Sequence, residues 1–442
     1  MNYTNLFNRA KEKNIEELEI YFSRKSSTSI QLFDSEVEEY KVSDVSGISL
    51  KGKYNGKLGF VYTEEISEER VLNLLDQLIL NASIIETSEE FSLFEGSKNY
   101  PEVKTFNEGI RNIKTSTKIE LLKKIEKKIR SYENIDTLEE IVFIETESET
   151  KIINSKNLNL EKMNNSILIY CDVVAKKEDE ITTNRDFILT NDIDSIDIEK
   201  FAELVALNAT NKLGGGKVNS GKYKALLSNE IVADLLEVMS TSFSAENVQK
   251  GMSRLEGKLE TSIFSENITI TDKPLVDFAP RSTPFDDEGV AASNKIIVKN
   301  GILKTFLHNR KTAKKDGIES TGNGFKAGFK GLVNVKPTNF SIENGKLSLE
   351  QLITKVGNGV YIDDLSGIHA GLNPVTGDFS LQAEGFLVKD GKLSKPINLI
   401  TIAGNFFEIL KDVNDLGNDF KYSRSGVGAP SLFINELSIS GK

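Results

Sequence analysis

Cysteine occurs once in this chain of 442 residues and histidine only twice. With Cys171 alone, an internal disulfide framework is impossible and a multi-cysteine zinc site is excluded by count. Neither His308 nor His369 sits in a His-Glu-x-x-His arrangement on a helix, so each is read as a structural or surface histidine. No stretch approaches the roughly 20 apolar residues a membrane-spanning helix needs. The start, Met1-Asn2-Tyr3-Thr4-Asn5-Leu6-Phe7, lacks the apolar core of a secretory signal, and a cytoplasmic location is expected. Basic residues are outnumbered, 55 against 66 acidic ones, for a net charge of -11. That balance argues against direct nucleic-acid binding, which calls for a basic surface.

What is present is enough for real cores. Hydrophobic residues make up 38% of the chain, and its length exceeds what one core usually holds, so two domains are expected. In the first half, short period-2 patterns at Glu17–Ser23 and Ser29–Phe33 and a hairpin around Asn55-Gly56 alternate with helical spacing at Ser67–Ala82, Thr117–Ile129 and Ile198–Asn211. Further strands are expected around Glu140–Thr146 and Ser166–Ala175. This mixture predicts an α+β fold, not a strict parallel βαβ sheet. The pattern stops at Leu213-Gly214-Gly215-Gly216, which sets the expected domains at 1–215 (α+β) and 216–442 (strand-rich, with a few helices). In the second half, Asn300-Gly301 and Asp390-Gly391 mark hairpins, the first between Asn294–Val298 and Ile302–Leu307. One helix stands out, with Ser228 as N-cap and Ile231, Val232, Leu235, Leu236, Met239 and Phe243 on one face.

Two motifs fail when tested. Gly216-Lys217-Val218-Asn219-Ser220-Gly221-Lys222-Tyr223 nearly spells a phosphate-binding loop, but Tyr223 cannot replace the Ser or Thr that holds Mg²⁺, and a strand follows where a helix should open. The carboxylates of Asp286-Asp287-Glu288 and Asp363-Asp364 are the residue type hard cations take. Neighbours in an extended segment point to opposite faces, however, so a solvated turn with caps and local hydrogen bonds is the expectation for the run.

A series of segments, in order, resembles the TldD/PmbA ("modulator of DNA gyrase") family. It includes Ser220-Gly221-Lys222-Tyr223, Pro284-Phe285-Asp286-Asp287-Glu288-Gly289, Glu319-Ser320-Thr321-Gly322-Asn323-Gly324, Asn373-Pro374-Val375-Thr376-Gly377-Asp378 and Gly428-Ala429-Pro430-Ser431. The likeness covers the second half, and the first half fits in length and layout.

The resemblance implies a two-domain α+β protein that commonly works as a heterodimer. In such pairs the TldD-like subunit is a zinc metallopeptidase with His-Glu-x-x-x-His on a helix and a cysteine near the C-terminus. In this chain the helix reads Asn229-Glu230-Ile231-Val232-Ala233-Asp234, and the C-terminal segment Asp419-Phe420-Lys421-Tyr422-Ser423-Arg424 has no cysteine. Asn229 and Asp234 stand where the histidines would, and only Glu230 survives. The departure points to the PmbA/TldE side of the family, with no bound cofactor expected and any zinc carried by a TldD-like partner. Glu230 is read as an acidic residue in a helix's first turn, favoured by the dipole, more than as a remnant general base.

Three functions compete at this stage. The first is a noncatalytic subunit, joined to a TldD-like chain or to itself, of a peptidase acting on peptides or unfolded proteins. The second is an autonomous hydrolase using another metal on Asp286–Glu288 or Asp363–Asp364. The third is a regulatory module that binds a protein target, as the family's older name suggests.

Overall fold

The computed structural model describes residues 3–84 and 92–442. Helices and strands are mixed throughout, so the fold is α+β. The N-terminal half builds one antiparallel sheet from β1 (Ile15–Phe33), β2 (Glu36–Tyr54), β3 (Lys57–Thr63), β4 (Ile135–Asn154), β5 (Asn159–Lys177) and β6 (Glu180–Thr190), in the order β3-β2-β1-β4-β5-β6. Asn55 and Gly56 join β2 to β3 with φ of 47° and 75°, the left-handed pair that a tight hairpin turn requires.

β1 is one strand of 19 residues, where alternation suggested two short ones. Its middle, Arg24-Lys25-Ser26-Ser27-Thr28-Ser29, is polar, so the hydrophobic signal lapses while the ladder continues on both sides. Such a strand runs roughly 60 Å, and its two ends serve separate cores. Leu18 and Ile20 pack with Ile48 and Leu50 beneath α1 (Tyr3–Glu12) and α2 (Glu68–Ile84). Ile30 and Leu32 pack with Phe143, Ile169 and Cys171 beneath α3 (Glu108–Arg111), α4 (Thr115–Ile129) and α5 (Ile198–Thr210).

In the second half, β7 (Gly221–Leu227) runs parallel to Gly359–Ser366 and antiparallel to Leu432–Ser440. Asp378–Lys389 and Lys392–Asn405 extend the sheet as the hairpin expected at Asp390-Gly391. Thr401–Ala403 also pairs with Ser438–Ser440, which closes five strands into a ring. α6 (Asn229–Met239) packs its apolar stripe into the largest core, together with Leu227, Ile362 and Ile434. A second six-stranded sheet ends in Phe340–Ile342, Gly428–Ala429 and Lys421–Tyr422. The hairpin at Asn300-Gly301 forms, but its second strand stops at Leu303, because the Leu307 amide leaves the ladder for the Phe243 carbonyl. Among the described residues, no helix is long and apolar enough to cross a membrane.

The run Asp286-Asp287-Glu288 corrects the expectation of a solvated turn. Asp286 is fully buried and Asp287 nearly so. The local hydrogen bonds do exist: Asp286 Oδ1 accepts the amides of Glu288 (2.9 Å) and Val290 (3.0 Å), and Oδ2 accepts that of Gly324 (2.8 Å). Those amide donors are what let a carboxylate stay inside. Asp287 then pairs with Lys162 of β5 at 3.0 Å, joining the two halves of the chain.

Candidate functional site

β7 delivers the chain to α6. The Ser228 amide donates to the Ile362 carbonyl (3.0 Å), and its Oγ accepts the Ile231 amide (3.3 Å), the N-cap read from the sequence. Ile231, Val232, Leu235, Leu236 and Met239 are buried, which leaves Glu230, Asp234 and Glu237 as an acidic stripe turned from the core into a recess, at spacings of four and three. Asn229 and Asp234, five residues apart, face directions about 140° apart on a regular helix. Asn229 Nδ2 donates to the Asp419 carbonyl at 2.5 Å, and the Asp419 carboxylate accepts the Ser431 amide (2.9 Å) and hydroxyl (2.6 Å).

The stripe faces a cavity of ≈ 520 Å³. Its other walls are Arg185, Asp186 and Phe187 of β6, Asp363 and Asp364 of the ring, and Lys421 and Arg424 of the C-terminal segment. Glu230 and Asp234 of the helix and Lys421–Arg424 of the C-terminal segment therefore meet at one cleft between the two halves, whereas Asn229 lies outside its lining. Lys421 lies at its centre, with its ammonium 2.5 Å from Glu230 and 3.3 Å from Asp186 and 5.1 Å from the centroid of the Phe187 ring. His369 is exposed at the rim, whereas His308 is buried in the second half, away from this lining.

The electrostatics follow from crowding of like charge in a recess. Enclosure, then Glu237, Glu230 and Asp364, push the Asp234 carboxyl up to about 6, with Arg424 opposing. Burial pushes Asp363 up to about 6 as well, against the pull of Lys212. Asp186 is raised by burial and by Glu230, while Lys421 holds it down. Lys421 is itself kept protonated by Glu230 and Asp186 in spite of burial. Lys212, almost wholly buried, pairs with Asp364 at 2.8 Å and Glu384 at 3.6 Å.

These residues do not fit the zinc centre that the resemblance associates with a TldD-like chain. Positions 229 and 234 offer an amide, already bonded to the Asp419 carbonyl, and a carboxylate in place of imidazoles, and an ammonium sits between Glu230 and Asp186. Among the described residues, no group of three or more His, Cys, Asp and Glu is arranged to hold a metal ion. Cys171 is buried in an apolar core, and burial raises its thiol pKa. The other acidic runs are committed elsewhere: Asp286 to backbone amides, Asp287 to Lys162 and the Lys326 amide, Asp364 to Lys212.

Asp186 and Lys212 escaped the sequence reading, and Lys421 entered it only as part of a segment without cysteine. A signal for Asp186 existed: a carboxylate opens the apolar run Phe187-Ile188-Leu189 within a strand. Nothing local indicates its partner, which lies 235 residues away.

Models of the PmbA/TldA metallopeptidase match in three stretches: domain 1 over residues 18–82, the central domain over 108–213 and the C-terminal domain over 220–441. The metalloprotease PmbA homolog of Buchnera aphidicola is 27% identical over 96% of this chain and 93% of its own. A Thermotoga maritima protein named for modulation of DNA gyrase has the same fold, with a TM-score of 0.91, 30% identity and 99% of both chains covered. TldE from Thermococcus kodakarensis gives 0.90 at 25% identity, covering 99% of this chain and 100% of that one. With its C-terminal model spanning residues 220–441 and whole-length likeness to such relatives, the chain belongs to the PmbA/TldD family.

Proposed function

We propose that this chain is the peptide-holding, non-cutting subunit of a TldD/TldE-type metallopeptidase, with zinc carried by a TldD-like partner. One observation carries the reading. At the helix position where a metallopeptidase would hold its ion, Glu230 is paired with the Lys421 ammonium at 2.5 Å, and the Asn229 amide is turned to the Asp419 carbonyl. A zinc-activated water needs imidazole or thiolate ligands and one open position; this helix supplies neither imidazole nor thiolate. The cleft is still of a size and polarity suited to an extended peptide, with acidic side chains over an apolar floor of Ile231, Ala233 and Leu365.

The reading as an autonomous metal hydrolase gains no support from Asp286–Glu288, whose oxygens are taken by amides and Lys162. The likeness to TldE and to proteins called metalloproteases favours a peptidase system over a regulatory module.

Reconstitution tests the proposal. The chain and a TldD-like chain from the same organism are purified separately, then assayed on an unfolded protein substrate alone and mixed. The mixture is expected to cut at least about tenfold faster than the partner alone, a gain of roughly 1.4 kcal/mol in barrier, and this chain alone is expected not to cut. A partner equally fast by itself, or cutting by this chain alone, would sink the idea.

A further inference from the structure

A second cavity, of ≈ 610 Å³, opens between the polar middle of β1, β5 and the loops around Arg281 and Lys326. Lys and Arg supply seven of its lining side chains and Asp and Glu only two. The motif cleft has the reverse balance, with six Asp and Glu against three Lys and Arg. A depression of ≈ 340 Å³ lies between them. It shares Arg281, Lys336 and Pro337 with the basic cavity and Glu237 and Ser425 with the motif cleft. Common walls make the three into one trough, acidic at one end and basic at the other.

Part of the basic charge is already used. Arg24 forks onto Asp44 (2.9 and 2.6 Å), Lys162 pairs with Asp287, and Lys330 pairs with Glu64 at 2.5 Å. Lys25 and Lys336 are exposed, and neither ammonium has an ion pair among the described residues. Lys326 is more telling. Its side chain is 2% exposed and its Nζ has no hydrogen-bond partner among the described residues; it lies 3.9 Å from the centroid of the Tyr21 ring and 3.7 Å from Glu19. Gathering cations in this way costs self-repulsion, and in a chain of net charge -11 they are not the consequence of a basic composition. Lys and Arg in a partly enclosed recess recognise carboxylates through charge-assisted hydrogen bonds, and Phe325, Phe329 and Pro337 add flat apolar contact.

We propose that the basic cavity binds the carboxylates of an acidic peptide segment, while the same peptide continues along the trough into the motif cleft. The inference rests on the peptide-holding reading above and adds a substrate class and a direction. The acidic cleft repels the acidic segment, so charge fixes which end of the peptide lies where.

The chain has no tryptophan, so the indole of a bound peptide reports by fluorescence anisotropy without protein background. Three synthetic probes are used with the full chain: a peptide with one Trp and a run of Glu, its Gln counterpart, and the Glu peptide with an amidated C-terminus. The Glu peptide is expected to bind at least about tenfold tighter than the Gln peptide at low ionic strength, with the advantage shrinking as salt is added. Amidation leaves the affinity of the Glu peptide unchanged if its side-chain carboxylates are held; a loss on amidation as large as the one from Glu to Gln shows that the terminal carboxylate is held and overturns the proposal. The Lys25→Glu/Lys336→Glu variant, altered at two exposed positions, is expected to lose the preference while unfolding at an unchanged urea midpoint. Equal binding of the Glu and Gln peptides, or a charge-reversed variant that keeps the preference, overturns the proposal. The reconstituted cleavage assay reports separately on peptide holding: stimulation of the partner without a Glu preference overturns this inference alone.

Discussion

Lys421 ties the two halves of the molecule together at the cleft, with its ammonium 2.5 Å from Glu230 of α6 and 3.3 Å from Asp186 of β6. Asp186 is 2% exposed, so its charge depends on that cation. Replacing Lys421 by Met leaves a buried carboxylate without its partner, at an expected cost of about 2 kcal/mol, less than a fully buried pair because Lys421 is one-third exposed.

The pH dependence of that loss has a definite sign. Burial already raises Asp186 above its ordinary value, and removing Lys421 raises it further. A carboxyl with a raised folded pKa binds a proton that the unfolded chain lacks, so stability falls as pH rises through the folded pKa. The Lys421→Met deficit in urea unfolding is therefore expected to be smallest in acid, where Asp186 is protonated, and to grow as pH rises. Asp186→Asn in the same background should recover most of it. A deficit of equal size in acid and at higher pH would show that Asp186 is not the group left unpaired.

The charge at the cleft makes a second prediction. Restoring histidines with Asn229→His and Asp234→His is not expected to create a zinc site, because the C-terminal segment still offers no cysteine and Lys421 remains between the carboxylates of Glu230 and Asp186. Elemental analysis of the doubly substituted chain, purified alone after zinc exposure and dialysis, should find well under one zinc per chain. A stoichiometric ratio would mean that two imidazoles suffice for a zinc site here in spite of the Lys421 ammonium and the missing thiolate.

How far the sequence carried the reading depended on whether the determinant was local. Ser228 and the stripe from Ile231 to Met239 fix α6 within a few turns of chain, and both were legible. β1 was recovered as two pieces, because Arg24–Ser29 carries no apolar alternation although both neighbours continue the ladder. The burial of Asp286 was illegible: three carboxylates in a row read as solvated until the Gly324 amide, 38 residues away, arrives to help satisfy one of them. The cleft was the extreme case. Its α6 wall was named through the family resemblance, while Asp186 and Lys212 are brought in by pairings across 235 and 152 residues.

The acidic end of the trough should respond to pH on its own. Asp234 and Asp363 both titrate near 6, raised chiefly by enclosure. Below that value they are neutral and attract cations less. Affinity for a Trp-labelled peptide rich in Lys is therefore expected to rise several-fold between about pH 5 and 7. Asp234→Asn should flatten the rise by removing one of the two titrating charges. Anisotropy titrations across that range decide it, and a profile identical in the variant would rule out Asp234 as a contributor.

Asp286 provides the sharpest test of a structural role. Alanine there strips the acceptor from the buried amides of Glu288, Val290 and Gly324. Each unsatisfied donor costs about 1–3 kcal/mol, so a loss of roughly 3–5 kcal/mol is expected once partial relaxation is allowed. Asp287→Ala acts differently: it leaves those three amides satisfied and breaks the ion pair to Lys162 of β5, which keeps its bond to the Phe285 carbonyl at 2.9 Å, and it strips one acceptor, that of the Lys326 amide. The first substitution should lower the urea midpoint of the C-terminal half. The second should lower that midpoint less, with one amide unpaired instead of three, and should also speed limited proteolysis between the halves, since its ion pair crosses from one to the other. If both variants instead shift the same transition equally, the run Asp286-Asp287 acts as a single unit, and the separation of an internal acceptor from an interdomain tie is wrong.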